Sequence, residues 1–252
     1  MEHMTNPYDP ALIESSQIQT RIAYITRVEQ EMLSHRFLDH EFFIKLRDGY
    51  FTPEFVAFFT AQYSKHIAVF TKALSNLLGA TNDLESRYML FDNLYEEMGM
   101  GVFEECHYRL YCDMMSSMGL APDFAASLPQ MDSIEVLNDA LLNATNDVVI
   151  GLTWLGIGGE QTIPNHFPCM RKSVADAYAD KDLDWRFFDR HGERDEMHAD
   201  DAKMVLACNM KDGDEHKIVS EATKCLHARA VVCEEFMQIA RANPTKYIRS
   251  AA

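Results

Sequence analysis

Apolar residues recur every three or four positions along most of this chain, which is the spacing of an amphipathic α-helix. The clearest stretch follows Thr52-Pro53-Glu54, a helix start signal, and keeps its apolar period to Leu77. A second start signal, Asp9-Pro10, predicts a helix that runs to about Leu33. Strand patterns are weak throughout.

The other helices are predicted from the same period and from the glycines and prolines that interrupt it. The predicted helix 133–160 is long and rich in glycine towards its end, and IPNHFP at 163–168 would terminate it. Asp212-Gly213 would form a turn between two later helices. We predict an all-α, single-domain, antiparallel helical bundle over residues 1–252, with residues 1–8 flexible or partly tag-derived. The further helices cover about 40–47, 82–98, 102–118, 133–160, 169–179, 184–210 and 215–241.

Composition and charge narrow the classes of partner. The net charge of -16 disfavours nucleic acid and anionic membranes, because both would be repelled. No apolar run approaches the roughly 20 residues that span a bilayer, and the N-terminus lacks the pattern of a secretory signal. The six cysteines form no C-x2-C pair, which favours free thiols in the cytoplasm over a cysteine-based zinc site.

The first candidate for chemistry is HGERDEMH at 191–198. On a helix, offsets of four and seven bring His191, Asp195 and His198 within about 60° of one another. Two imidazoles and a carboxylate can then face one point, as in a metal site. The alternative is a solvated charged face that holds two histidines by chance.

Glu160 is the second candidate, because it lies among small and apolar residues in GIGGEQTIP. Burying a carboxylate there is costly without a partner. The neighbouring glycines would let a backbone, a substrate or a metal cluster come close. A simple helix crossing would explain those glycines but not the glutamate.

The third candidate segment is NLYEEMGMGVFEECHYRLY. A helix interrupted by two glycines can aim Glu97 and His107 at the same place, whereas Glu104 has one-face helical spacing to His107. The sequence leaves that choice open. For Glu96, Glu104 and Glu105, an exposed acidic turn is the favoured interpretation.

Together these residues form a set of three carboxylates and three imidazoles. A mixed nitrogen and oxygen set suits iron or manganese, and two metal ions in a helical bundle are a common use of such a set. The six candidate ligands are Glu97, His107, Glu160, His191, Asp195 and His198.

The array resembles the haem-oxygenase-like di-iron oxidases, often described as iron-containing redox enzymes, which share their fold with haem oxygenase, thiaminase II and pyrroloquinoline quinone synthase. The family order is a glutamate, a histidine seven to ten residues on, a glutamate on a later helix, then H-x3-D/E-x2-H. Glu97 and His107 match the first pair, Glu160 the later glutamate, and 191–198 the last element. The resemblance covers about residues 25–240 and implies a haem-oxygenase-like fold.

The resemblance further implies two Fe(II) ions, with manganese as an alternative, O2 as co-substrate and no haem. The reaction would oxidise a small amino-acid-derived or carboxylic acid substrate, by C–H abstraction with desaturation or oxidative C–C fragmentation, in natural-product biosynthesis. N-oxygenation of an amine is the alternative. N-oxygenating relatives carry an extra carboxylate one helix earlier, and SKHIAVFTKALSN has none, although His66 there could contact substrate. A homodimer and an external electron donor are also expected.

Three rival interpretations stay open. A ferritin-like di-iron protein would use the pairs Glu104/His107 and Asp195/His198, but it needs a carboxylate within about 65–81, where none occurs. A cofactorless enzyme of the same fold would resemble either the quinone synthase, which should keep histidines without the full carboxylate set, or thiaminase II, which needs a cysteine nucleophile near the pocket. A non-catalytic protein would bind no iron stoichiometrically. Candidate substrate contacts are the cations Lys65, Arg109 and Arg171 and the aromatic residues Tyr63, Tyr95, Trp154 and Phe167.

Overall fold

The regular structure of the chain is helical, as the apolar period predicts. The computed structural model describes residues 6–250, with the side chains of 192–199 left out. In this part the one β-type pairing is an isolated bridge between Phe51 and Ile248. The helices are α1 Pro10–Ile13, α2 Ser16–Met32, α3 Glu41–Arg47, α4 Pro53–Ala80, α5 Leu84–Glu97, α6 His107–Ser117, α7 Phe124–Ser127, α8 Asp132–Ala144, α9 Val148–Leu152, α10 Ile163–Ala177, α11 Arg186–Asn209, α12 Glu215–Ala242 and α13 Pro244–Tyr247.

The start signal of α4 is confirmed in atomic detail. The Thr52 hydroxyl accepts a hydrogen bond from the backbone N–H of Phe55 at 3.3 Å, and Pro53 occupies the first turn. Together they satisfy or remove N–H groups that have no partner inside the helix. The predicted helices 184–210 and 215–241 are also confirmed as α11 and α12, with the left-handed Gly213 in the turn between them.

The predicted helix from Asp9 to Leu33 is wrong, because it is two helices. Asp9 caps α1, which is a single turn, and the Ser15 side chain then accepts from the backbone N–H of Ile18 at 3.4 Å to cap α2. Serine hydroxyls offer the backbone an alternative partner, and here that partner starts a new helix.

The predicted helix over 133–160 is also wrong. α8 ends at Ala144, and the Asp147 carboxylate accepts from the backbone N–H of Ile150 at 3.0 Å to cap α9. α9 then passes into a π-helix, Thr153–Ile157, and a 3-10 turn, Glu160–Thr162. A mid-segment aspartate cap therefore divides what the apolar period shows as one helix.

IPNHFP begins a helix rather than ending one. Pro164 lies in the first turn of α10, where a missing N–H removes no internal hydrogen bond, and Pro168 follows one turn later inside the helix. The predicted start near 169 is therefore too late.

The core contains a cluster of aromatic rings contributed by α3, α4, α12 and the segment between α3 and α4. Phe42 stacks on Phe236 with ring centroids 5.1 Å apart, and Phe51 stacks on Phe55 at 4.1 Å. Phe59 packs edge-on against Phe42 and Phe236. Aromatic burial of this extent is a large part of the stability of such a bundle, and it fixes α4 against α12 on one side of the site.

None of the helices within residues 6–250 combines the length and apolarity that a bilayer crossing requires.

Candidate metal centre

A tight reversal of the chain brings the first two candidate ligands together. α5 ends at Glu97, and Gly99, Met100 and Gly101 follow with φ of +74°, +52° and +88°. Successive left-handed residues turn the chain back on itself, a conformation that glycine adopts without strain. α6 then begins at His107, directly opposite the end of α5.

The structure places Glu97, rather than Glu104, beside His107. The distance between Oε1 of Glu97 and Nδ1 of His107 is 2.9 Å, and the two side chains are 7% and 12% exposed. Glu104 lies exposed on the 3-10 turn Phe103–Glu105. The sequence left open whether Glu97 or Glu104 lies beside His107, and the structure shows that it is Glu97. The role of Glu97 as a metal ligand stays a prediction.

His191 on α11 joins this pair. Its ring centroid lies 4.7 Å from that of His107, and its Nδ1 donates to the backbone carbonyl of Phe187 at 2.8 Å. A histidine that donates through Nδ1 carries its lone pair on Nε2, which is the arrangement of a metal ligand held by a second hydrogen bond.

One donor atom each from Glu97, His107 and His191 lies within 4.8 Å of the others. These residues and Glu160 line one cavity, called the metal cavity hereafter. Four of the six predicted ligands therefore face one space. The backbone of α11 is helical through the other two, Asp195 and His198, whose side chains lie outside the described residues.

Glu160 reaches the metal cavity because of the irregular backbone before it. Gly158 passes so close to the side chain of Cys225 on α12 that a Cβ atom would overlap its sulfur. Gly159 lies equally close to the carbonyl of Leu155 in the π-helix, a type of segment that often marks functional sites. Helix packing thus explains these glycines, and it carries Glu160 into the buried site.

The donor set fits divalent metal ions. Glu97 and Glu160 are buried, and burying carboxylates is costly unless positive charge compensates them. Carboxylate oxygens and imidazole nitrogens without a thiolate suit iron or manganese better than a structural zinc site. The residues present are therefore able to hold iron or manganese ions.

Two further histidines near the cavity are held neutral. Burial lowers the pKa of His66 to about 4, even though its Nδ1 donates to Oδ1 of Asn138 at 2.7 Å. Burial and the Arg229 guanidinium lower the pKa of His166 well below its usual range. Both imidazoles are therefore uncharged at neutral pH.

The depressed pKa of His66 predicts a loss of stability in mild acid. As pH falls below about 6.5, the unfolded chain takes up a proton that folded His66 refuses, so the free energy of unfolding falls by up to about 1.4 kcal/mol per pH unit. Between pH 7.5 and 5.5, chemical denaturation should show a drop that is about 1 kcal/mol smaller in His66→Gln than in the wild type. Parallel curves for the two proteins would contradict a neutral, buried His66.

Arg229 is a buried residue of the metal cavity that the sequence analysis did not single out. It is 8% exposed and lines the metal cavity, although it lies in the middle of α12. Its position one turn after Cys225, on the apolar face of that helix, is the signal that could have revealed it. A cation on a buried face requires a structural or functional partner.

The predicted substrate cations lie elsewhere. Lys65 donates to the backbone carbonyl of Leu128, Arg109 pairs with Asp113, and Arg171 pairs with Asp189. Of the predicted aromatic contacts, Tyr63 and Phe167 line the metal cavity. Tyr95 instead donates to the carbonyl of Met100, and Trp154 donates to the carboxylate of Glu221.

Comparison with known proteins places this chain in a family. The 4-aminobenzoate synthase of Chlamydia trachomatis serovar D is 24% identical over 210 residues, which cover 81% of this chain and 89% of that protein. A CADD-like protein of unknown function from Nostoc punctiforme has a TM-score of 0.74 at 16% identity, covering 88% of this chain and 99% of its own. A Shewanella denitrificans domain of unknown function with a heme oxygenase-like fold has a TM-score of 0.67 at 16% identity, covering 94% and 98%. The family model described as iron-containing redox enzyme matches residues 57–230, and the chain therefore belongs to that family, with a haem-oxygenase-like fold.

Proposed function

We propose that this protein is an O2-dependent, non-haem di-iron oxidoreductase that oxidises a small organic substrate in biosynthesis. The observation that carries the proposal is the cluster of Glu97, His107 and His191, whose donor atoms lie within 4.8 Å of one another. Membership of the iron-containing redox enzyme family supports an oxidoreductase, and the 4-aminobenzoate synthase relative supports a biosynthetic oxidation.

The same cluster would hold the first iron. Glu160, together with the predicted ligands Asp195 and His198, would complete a site for the second. Iron supplies the electrons that reduce O2 and so provides the oxidant for an unreactive C–H bond, a reaction for which protein side chains alone have no redox chemistry. Manganese stays an alternative to iron. Haem is not expected, because the proposed side-chain ligands would hold the metal ions directly.

The chain's own residues would shape that reaction. The hydrogen bond from His191 to the carbonyl of Phe187 holds Nε2 towards the cluster. Ile67, Phe70 and Phe167 line the metal cavity with apolar surface. Apolar walls would limit the entry of water, and limited water strengthens electrostatic interactions and reduces side reactions. Burial raises the pKa of Tyr63 to about 12, so this cavity-lining phenol stays protonated and can donate a hydrogen bond.

Desaturation or C–C fragmentation is the favoured reaction, with N-oxygenation as the alternative. Among the described residues that line the metal cavity, Glu97 and Glu160 are the carboxylates. The α4 residues that face it are Tyr63, His66, Ile67 and Phe70, so α4 adds no acidic ligand there. The extra carboxylate that N-oxygenating relatives carry therefore has no counterpart on α4, and this favours desaturation or C–C fragmentation over N-oxygenation.

Two rival functions have less support. A thiaminase-like mechanism needs a cysteine thiolate. Cys233 on α12 lines a second, apolar cavity that shares Tyr63, His66 and Arg229 with the metal cavity, and burial strongly raises the pKa of its thiol. That thiol is therefore a poor nucleophile at neutral pH. A ferritin-like site built on Glu104 is disfavoured because that side chain is exposed, away from the cluster.

Metal-dependent O2 uptake tests the proposal. Metal-free protein is loaded with Fe(II) or with Zn(II), and O2 uptake is followed with an oxygen electrode. We expect uptake above that of free Fe(II) only in the iron-loaded protein, because zinc has no redox chemistry. Uptake that never exceeds the rate of free Fe(II), with or without an added thiol or ascorbate as electron donor, would contradict it. Gel filtration of the same samples tests the expected homodimer.

A further inference from the structure

Charged side chains join the turn before α6 to the first two turns of α11. Glu105 closes that turn, two positions before His107. Its Oε1 accepts a hydrogen bond from Arg186 at 3.3 Å, and its Oε2 accepts one from Arg190 at 2.8 Å. Arg186 is the first residue of α11, and Arg190 directly precedes His191. The Glu105 side chain is 29% exposed and paired, so it is not part of a freely solvated acidic turn.

Arg186 extends these contacts along α6. One of its terminal nitrogens donates to Oδ2 of Asp113, a residue of α6, at 3.1 Å. Glu105, Asp113, Arg186 and Arg190 are called the ion-pair clamp hereafter. They form a network in which two carboxylates on the α6 side meet two guanidiniums on the α11 side. A network of this kind is the case in which partly exposed ion pairs contribute measurably.

The hairpin between α5 and α6 depends on side-chain contacts for its position. Its turn contains three left-handed residues, and the N-terminus of α6 lacks a side-chain cap. The clamp acts at the end of this hairpin that carries His107, and on the part of α11 that carries His191. Metal affinity depends on the spacing of such ligands, which outer contacts have to hold to within about 0.5 Å.

We propose that Glu105 is a positioning residue of the metal centre, which sets the distance between His107 and His191 through Arg186 and Arg190. The inference rests on the proposed function, since it concerns how that site holds its metal ions. Contacts that only orient ligands change metal affinity by roughly 10- to 100-fold. Because the clamp is partly exposed, it contributes less to folding than to the geometry of the site.

The first arm of the test removes one charge at matched positions. Glu105→Gln keeps the size of the side chain, and Glu104→Gln makes the same change one residue earlier, at an exposed position of the same turn. Anaerobic competition with a chromophoric chelator measures the Kd for Fe(II). We expect binding to weaken about tenfold in Glu105→Gln. Glu104→Gln should stay within about twofold of the wild type. Equal affinity of Glu105→Gln and the wild type would overturn the proposal.

The second arm separates positioning from a general loss of stability. The metal-free proteins are saturated with Co(II), whose visible absorption bands respond to the arrangement of its ligands. Saturation removes the effect of partial occupancy. We expect the bands of Glu105→Gln to differ from those of the wild type, and the bands of Glu104→Gln to match them. Weaker Fe(II) binding with an unchanged Co(II) spectrum would mean that Glu105 supports only the fold, and it would overturn the proposal.

The third arm asks whether Glu105 acts through Arg190. Arg190→Gln alone, and Arg190→Gln combined with Glu105→Gln, should each weaken Fe(II) binding about tenfold, because residues of one ion-pair network are not additive. Arg171→Gln is the control, since it removes an exposed ion pair with Asp189 on the same helix α11. It should leave the affinity unchanged. A combined loss of about a hundredfold would show independent effects and would overturn the proposal.

The three arms keep the two claims distinguishable. If the wild type binds neither Fe(II) nor Co(II), the proposed function fails and the positioning role fails with it. If the wild type binds both ions and Glu105→Gln binds them equally well with the same spectrum, the positioning role alone fails. If Glu105→Gln does not fold, the affinity and Co(II) spectrum of Arg190→Gln provide the same test, with Arg171→Gln as its control.

Discussion

Replacing Glu97 by alanine is expected to lower the affinity for iron by more than about 100-fold, and O2-dependent turnover should fall with it. Loss of a residue that only hydrogen-bonds to a metal ligand already lowers metal affinity by roughly 10- to 100-fold, so loss of a ligand itself should cost more. Glu97 is buried at the end of α5, 2.9 Å from His107, so its loss removes an oxygen donor that no neighbour in the cluster replaces. The measurements are iron content after anaerobic loading, O2 uptake, and helical content by circular dichroism. Helical content should be unchanged, because α5 ends at this residue.

Glu104→Ala is the matched control for that prediction. It removes the same functional group from the same hairpin, but at an exposed position on the turn between α5 and α6. Iron content and turnover should stay within about twofold of the wild type, as for most surface substitutions. If Glu104→Ala is inactive while Glu97→Ala is tolerated, the assignment of ligands in this hairpin is wrong.

Gly99→Ala is expected to destabilise the fold by about 2–4 kcal/mol and to reduce iron binding, since it combines left-handed backbone strain with overpacking. Gly99 has a φ of +74°, and a Cβ there would lie 2.6 Å from the backbone nitrogen of Cys106. The hairpin would have to open, which would move His107 away from Glu97. Denaturant unfolding and iron content measure the two effects.

Gly79→Ala provides a control with the opposite sign. Gly79 lies inside α4, and a Cβ there would meet nothing within 4 Å. Alanine is favoured over glycine in a helix by about 1 kcal/mol, so this variant should be slightly more stable than the wild type. Equal effects of the two glycine substitutions would contradict a packed hairpin at the site.

The fold could be predicted from the sequence where the helical period is long and the caps are unambiguous. α4 meets both conditions, whereas α11 and α12 have no side-chain cap at their N-termini and were predicted from the length of their apolar period and the Asp212-Gly213 turn. The segment 133–160 fails because Asp147 caps a new helix inside an unbroken apolar pattern, and because a π-helix follows. Local hydrogen bonding of single aspartate and serine side chains decides such breaks, and periodicity does not report it.

The candidate site could be predicted to the extent that its ligands follow a fixed order along the chain. The sequence proposed Glu97, His107, Glu160 and His191, and the structure brings them to one cavity. The sequence could not distinguish Glu97 from Glu104 as the partner of His107, because the position of each depends on three left-handed residues in the turn between α5 and α6. Arg229 was missed because the groups that it contacts, in the segment 158–166 and at Phe37, come next to it only in the folded chain.

Anaerobic titration of the metal-free protein with Fe(II), followed by calorimetry or a chelator assay, tests the central claim most directly. We predict saturable binding of about two iron ions per chain, as the paired carboxylate and histidine ligands of a di-iron bundle imply. Stoichiometry should fall in Glu97→Ala and stay unchanged in Glu104→Ala. Absence of saturable binding in the wild type, or equal binding in both variants, would contradict the account and leave these carboxylates as part of a polar core without a metal.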